Sequence, residues 1–450
     1  MLFLFALAAL AAPAPADWVP MRWPSADPSS LELIKDTPVN CLLLEQTNWS
    51  PALLDAAATR NLITLGVIRP GAVPERLPSG LHGFVLEGDF SEIPNLSGRL
   101  TIELLPRSRM RWDSKAPIIG TYQAVWPGIH VEEGGSAKAA PSGGPWIDTN
   151  AGFLRFARAA TATTIWLGNT PPAKSVITAE GYVQAIADAA VMGARWIVAL
   201  DPDLAKRLLA REARALGDWK RIAQHLAWFE QHSEWRSYQP VGQLALVQDA
   251  NTGALYSGGV LDMIAVKHTP VIPVPPAKLS DAAMSQAKMA VNVDPSALSD
   301  AQKETLRRFT RSGGTVLNGP PDWKFPPMSS AEITLGKDDV KRLDEIWKEL
   351  NQMTGRRNLG ARLFNVSSMI SNLLRSPDST RTILHLVNYS GYPVENVTVH
   401  LIGRFRAAQL LAPGAVPKKL ETFEIEEGAG TGVEVDRVGA IATLLLEPAS

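Results

Sequence analysis

Apolar positions fall into two regimes along the chain. Between residues 31 and 237, short continuous apolar runs alternate with stretches of helical spacing. The runs at 39–44, 62–68, 83–86, 100–105, 118–125, 164–167 and 195–200 are the length of strands buried on both faces. Helical spacing covers 50–60, 153–160, 180–190, 203–216 and 218–234, with Ser50-Pro51 supplying an N-cap and a first-turn proline. Seven strands alternating with helices predict a parallel α/β sheet, either a small or incomplete (β/α)8 barrel or an open doubly wound sheet. A Gly/Ser/Ala/Pro-rich loop spans 128–145.

After Tyr238-Gln239-Pro240, which reads as a linker, a second α/β unit begins. Its expected strands are 244–247, 271–274, 289–293 and 315–317, with helices at 256–267 and after Ser299, the latter stopped by Ser312-Gly313-Gly314. A further helix is expected at 339–350. From there the period shifts to two, with strands at 382–387, 397–401, 406–411 and 441–446, which predicts an antiparallel β-sandwich. The domain reading is therefore 17–237 barrel-like, 240–335 α/β, and 338–450 helix plus β-sandwich.

Residues 1–16 are an apolar run ending in Ala14-Pro15-Ala16. That pattern predicts a signal peptide cut before Asp17, hence a periplasmic or secreted protein. The run is too short to span a bilayer, and no later stretch is long and apolar enough, so no membrane anchor is expected.

Composition removes several functions. The chain carries 44 Lys+Arg against 45 Asp+Glu, a net charge of −1, so no overall field draws in nucleic acid. Arg107, Arg109 and Arg111 form one local basic cluster, read as a solvated loop. The single cysteine, Cys41, sits in an apolar run and reads as a small buried hydrophobe. Paired-cysteine zinc sites are excluded. There is no His-Glu-x-x-His, Walker loop, Gly-x-Gly-x-x-Gly or Gly-x-Ser-x-Gly motif, so the sequence supports no metal and no cofactor.

The second unit resembles the class I glutamine amidotransferase-like fold, in the form of the trimerisation domain of bacterial beta-galactosidases. The carrying residues are Gly258–Ala265, His268–Val271, Leu298–Gln302 and Phe309–Val316. No cysteine lies in this unit, so the resemblance implies packing and self-association through 240–335, not ammonia transfer. The segments His385–Ser390 and Val394–Val399 resemble the β-sandwich that closes many such glycosidases. Barrel, amidotransferase-like domain and sandwich is the beta-galactosidase layout. That family's Asn-Glu acid/base step has no counterpart at a strand end in 17–237, so its catalytic residues do not transfer.

A barrel active site lies at the carboxyl ends of the strands, and glycoside hydrolysis needs two carboxyl groups there. The candidates are Glu45, Glu87 and Asp89, with Asp148 from the Gly-rich loop. Asp201 also follows a strand, but its Asp-Pro-Asp setting reads as a helix cap. Trp126 is the candidate sugar platform, and Tyr122, Gln123, Trp146 and Asn150 complete the substrate-binding set. The leading expectation is an exported glycoside hydrolase acting on a saccharide. The alternatives are a non-catalytic carbohydrate-binding or assembly protein with a degenerate barrel, and an exported scaffold.

Overall fold

The computed structural model describes residues 13–96, 98–128, 130–131, 137–138, 149–171, 175–248, 270–293, 295–319, 338, 341, 345, 348–349, 352–355, 357–366, 368–425 and 430–449. Most of the expected signal segment, the helix at 256–267 and most of the helix at 339–350 lie outside them.

Eight parallel strand positions make the first domain. They are β1 Pro20–Arg22, β2 Cys41–Leu44, β3 Ile63–Ile68, β4 Gly83–Glu87, β5 Leu100–Leu105, β6 Ile118–Thr121 and β7 Thr164–Leu167, then β8, which is Arg195–Trp196 and Val198–Ala199. The two halves of β8, parted only by Ile197, pair with different neighbours. Arg195–Trp196 pairs with β7 and Val198–Ala199 pairs with β1, so the sheet returns on itself. The ring is a nearly closed parallel barrel consistent with the (β/α)8 kind, and the open doubly wound alternative is set aside. Cys41, Leu43, Ile63, Leu65, Val67, Val85, Ile102, Leu104, Ile118, Trp166 and Ile197 pack together in one cluster. Strand alternation places these side chains on the inner face, filling the barrel as a core rather than a pore. Cys41 is fully buried there, and burial pushes its thiol well above the ordinary range, so it is no nucleophile.

The helical coat is uneven. α1 Pro51–Thr59 joins β2 to β3, capped by the Ser50 hydroxyl on Leu53 N–H. From β3 to β6 the described connections hold no α-helix. The far side carries α2 Ala151–Ala160, α3 Ala179–Ala190, α4 Pro202–Leu209 and α5 Ala213–Gln231. The helix expected at 203–216 breaks at Arg211, whose φ is 57°, and a new helix starts at Ala213.

The second domain is a four-stranded parallel sheet of β9 Leu244–Val247, β10 Val271–Val274, β11 Met289–Asn292 and β12 Thr315–Asn318, in the order β10-β9-β11-β12. α6 Asp300–Arg311 links its last two strands and begins in a reciprocal capping box of Ser299 and Gln302. The third domain is a sandwich. β14 Met369–Arg375, β15 Thr382–Asn388, β17 Phe405–Leu411, β18 Lys418–Leu420 and β21 Ile441–Pro448 form one sheet. β13 Ala361–Phe364, β16 Val394–Ile402, β19 Thr422–Ile425 and β20 Gly430–Val438 form the other. Gln239–Pro240, read from sequence as linker, pairs antiparallel with β14 and so belongs to the sandwich edge.

The sandwich docks on the helical side of the barrel through buried polar bonds. Arg155 donates to the Ser371 carbonyl at 2.6 Å, Asn372 to the Val191 carbonyl at 2.8 Å, and Gln184 to the Asn388 and Ser390 carbonyls at 3.2 and 3.0 Å.

Candidate functional site

The carboxyl ends of four successive barrel strands present alternating charges: Arg22 ends β1, Glu45 follows β2, Arg69 follows β3 and Glu87 ends β4. Because these strands are neighbours in the same order, the side chains close into a ring. Arg22 donates to Glu45 Oε1 at 3.1 Å and pairs with Glu87. Arg69 grips Glu45 with two nitrogens, at 2.7 and 2.8 Å, and gives Nε to Glu87 Oε1 at 2.9 Å. Each carboxylate thus meets both guanidiniums, the planar fork matching the carboxylate pair.

The electrostatics fix the charge states. Burial pushes the Arg22 pKa down to about 10, and the Glu45 charge opposes that, so the group stays protonated at neutral pH. Burial alone would raise the Glu45 carboxyl. The Arg69 hydrogen bond and charge, joined by Arg22, outweigh it and hold the group below its usual range. Glu45 Oε1 and Glu87 Oε1 lie 2.8 and 2.9 Å from the same Arg69 nitrogen. They are therefore no more than about 6 Å apart, short of the ~6.5–9.5 Å of inverting glycosidases.

Beside the ring, Gly88 takes a φ of 130°, and a Cβ there would sit 2.7 Å from Pro70 Cδ. This bend carries Asp89 outward to pair with Arg109. Burial and then the Asp89 charge raise the Tyr122 hydroxyl; Tyr122 past β6 and Asp89 past β4 are half-buried, and Arg109 is exposed. Arg111 pairs with Glu103 at 2.6 Å.

The remaining candidates sit deeper. Gln123 accepts from Arg107 N–H at 2.9 Å. Asn150 is fully buried at the start of α2, where its side chain holds both polar groups of Val125 at 2.8 Å and donates to Asp188 Oδ2 at 2.9 Å. Tyr389 of the sandwich donates to the other Asp188 oxygen at 2.6 Å. Burial raises the Asp188 carboxyl, opposed by its bonds to Tyr389 and Asn150. Trp126 is half-buried and edge-packed on Trp196 and Tyr182, with centroids at 4.9 and 5.4 Å. Asp201 caps α4, accepting from Asp203 and Leu204 N–H at 3.1 Å, as its setting predicts.

The structure therefore brings Glu45 and Glu87 together, places Asp89 and Tyr122 beside them, and sets Gln123, Asn150 and Trp126 in the packing beneath. Asp148 and Trp146 lie outside the described residues. Arg107 departs from the solvated-loop reading: it is buried, lies 4.5 Å over the Phe153 ring and bonds Asn150. Sequence reasoning missed Arg22 and Arg69. A search of strand ends for cations as well as carboxylates would have found Arg69. Among the described residues no cluster of three or more His, Cys, Asp or Glu could hold a metal, and no helix is long and apolar enough to cross a membrane.

No family model matches the chain, and no curated protein matches it in sequence. Solved structures do match in shape. Alpha-L-fucosidase isoenzyme 2 from Paenibacillus thiaminolyticus aligns over 97% of this chain and 100% of its own, with a TM-score of 0.62 and 10% identity. A beta-galactosidase from Rahnella sp. R3 aligns over 94% of this chain and 98% of its own, with a TM-score of 0.52 and 8% identity. At such identities the likeness speaks for the fold alone: the chain has a glycoside hydrolase-like fold.

Proposed function

We propose that this chain is an exported glycoside hydrolase-like protein that binds a saccharide at the barrel mouth without hydrolysing it. One observation carries this reading. Every described candidate carboxylate, Glu45, Glu87 and Asp89, is already paired with arginine. A glycosidase needs one carboxyl group that keeps its proton near neutral pH, which an apolar setting provides and a pair of guanidiniums opposes. The group Tyr122, Asp89 and Arg109 offers a ring face and hydrogen-bonding groups suited to a sugar.

The second reading is hydrolysis with retention by Glu45 and Glu87. Their contact with one Arg69 nitrogen keeps them closer than an inverting pair. This reading requires ligand binding to draw a guanidinium away, so that one carboxyl gains a proton and the other attacks the anomeric carbon.

Turnover of an aryl-glycoside panel, run beside calorimetric saccharide binding, separates the two. The binding reading expects no turnover, and at least a tenfold loss of affinity in Tyr122→Ala. Turnover that falls a thousandfold or more in Glu87→Gln transfers the case to hydrolysis. A wild-type protein that neither binds nor cleaves any saccharide sinks both.

A further inference from the structure

The second domain carries an open cleft of about 480 Å³, within the ~300–1,000 Å³ of small-molecule sites. It lies at the amino edge of the sheet, where the segment leading into β11 meets the end of α6. Met284 and Phe309, both buried, and the half-buried Ala287 give it an apolar floor. At Gly314 a Cβ would fall 2.4 Å from the Phe309 ring, so the ring lies against the chain where glycine leaves room. Next to it Gly313 has a φ of 96° and open space where a Cβ would stand. Asp281, Lys288 and Arg308 form an exposed rim.

The charged groups left free in this cleft are of one sign. The carbonyls that close α6 are met: Ser312 N–H donates to Arg308 O at 2.9 Å, and Gly313 and Gly314 N–H donate to Thr310 O and Phe309 O at 3.0 Å. The Ser285 and Ser312 hydroxyls donate to Ala282 O and Phe309 O at 2.8 Å. The Lys288 carbonyl accepts from Thr315 N–H at 3.0 Å. Arg308 holds the Asp281 carboxylate through Nε at 3.2 Å and Nη2 at 3.1 Å, and Nη2 also reaches Thr305 Oγ1 at 3.1 Å. Among the described residues this leaves Lys288 Nζ and Arg308 Nη1, neither of which makes a hydrogen bond. Two cations against one anion leave the rim net positive.

We infer that this cleft binds a small organic carboxylate with an apolar body. The body lies over Phe309 and Met284 and keeps water from them. The carboxylate accepts from Lys288 Nζ and Arg308 Nη1, in charge-assisted hydrogen bonds. An inorganic anion lacks the body, a neutral apolar molecule lacks the charge, and an organic cation meets like charge. The inference does not depend on the barrel mouth.

The test titrates the whole chain with benzoate and hexanoate. Inorganic phosphate is the charged control and benzamide the neutral one. Binding is read by calorimetry and by saturation-transfer NMR. At least one carboxylate is expected to bind tenfold or more tightly than either control. Lys288→Met, at an exposed position, should weaken that carboxylate at least fivefold. Ser285→Trp, also exposed, should abolish binding by filling the cleft, and an unchanged Tm shows that each variant is folded. Three results would overturn the inference: neither carboxylate binds; phosphate or benzamide binds as tightly; or carboxylate binding is unchanged in either variant, which places it elsewhere, as at the arginines of the barrel mouth. Saccharide binding at the mouth is expected to be the same in both variants, so either reading can fail while the other stands.

Discussion

The two flanks of the barrel keep buried polar groups by opposite means. Along β1–β4, where helices are sparse, Arg22, Glu45, Arg69 and Glu87 stay charged and cancel one another. On the α2–α3 flank, under the sandwich, Asp188 accepts from neutral donors of Asn150 and Tyr389, with the Arg107 charge acting on it as a smaller influence. The difference follows from access. The mouth is half-open, so water and the partner charges support ionised groups. The flank is closed, so burial pushes its one carboxyl toward the protonated form. A carboxylate at the mouth is thus made more acidic by folding, and one at the joint less so.

The largest expected effect breaks the charged side. Arg22→Met leaves Glu87 facing one guanidinium instead of two in a largely buried position, and should lower unfolding free energy in urea by about 3–5 kcal/mol. A loss below about 1 kcal/mol would mean that the ring is only a surface pair. Next, Asp188→Ala strands the Tyr389 hydroxyl and the Asn150 donors, with an expected loss of about 2–3 kcal/mol by the same measurement.

The pH dependence sharpens the contrast because the signs differ. The Glu45 carboxyl is depressed by folding, so its contribution is present above the unfolded value, ~4.3, and is lost as pH falls through the folded one. Glu45→Gln should flatten the acid limb of the stability curve. The Asp188 carboxyl is raised, so its contribution is present below the unfolded value, ~3.9, and is lost as pH rises through the folded one. Asp188→Asn should flatten that loss instead. His385, on β15 of the sandwich and bonded to Thr443 at 2.8 Å, adds a third sign check. Burial, then the His232 charge, lowers it to about 3, so stability is lost as pH falls from the unfolded ~6.5 toward that value. His385→Gln should remove sensitivity in this window. The smallest effect is Arg109→Met: its pair with Asp89 is exposed, and stability should change by less than about 1 kcal/mol.

Much of the barrel was legible because its strands are continuous apolar runs between breakers, as at Ile63–Ile68 and Thr164–Leu167. β1 was not. Pro20–Arg22 is three residues long and sits among prolines and tryptophans, so it carries no periodicity, and its pairing comes wholly from its neighbours. Missing it hid Arg22, one of the two guanidiniums at the mouth. The candidate carboxylates themselves were legible because strand ends mark the mouth. Asn150 looked like a ligand-binding amide, but its bonds run to Val125, Asp188 and Arg107, which only the tertiary fold brings near.

The divided strand at 195–199 decides when the barrel can exist at all. Until Val198 and Ala199 are in place, β1 has an unpaired edge on its outer side. During synthesis that edge waits for some 180 residues to emerge. An open edge is a template for pairing with another chain, and closure across such a sequence distance is slow. The nascent barrel is therefore most prone to aggregation just before its eighth strand arrives. A two-residue pairing on each side of Ile197 is what ends that exposure.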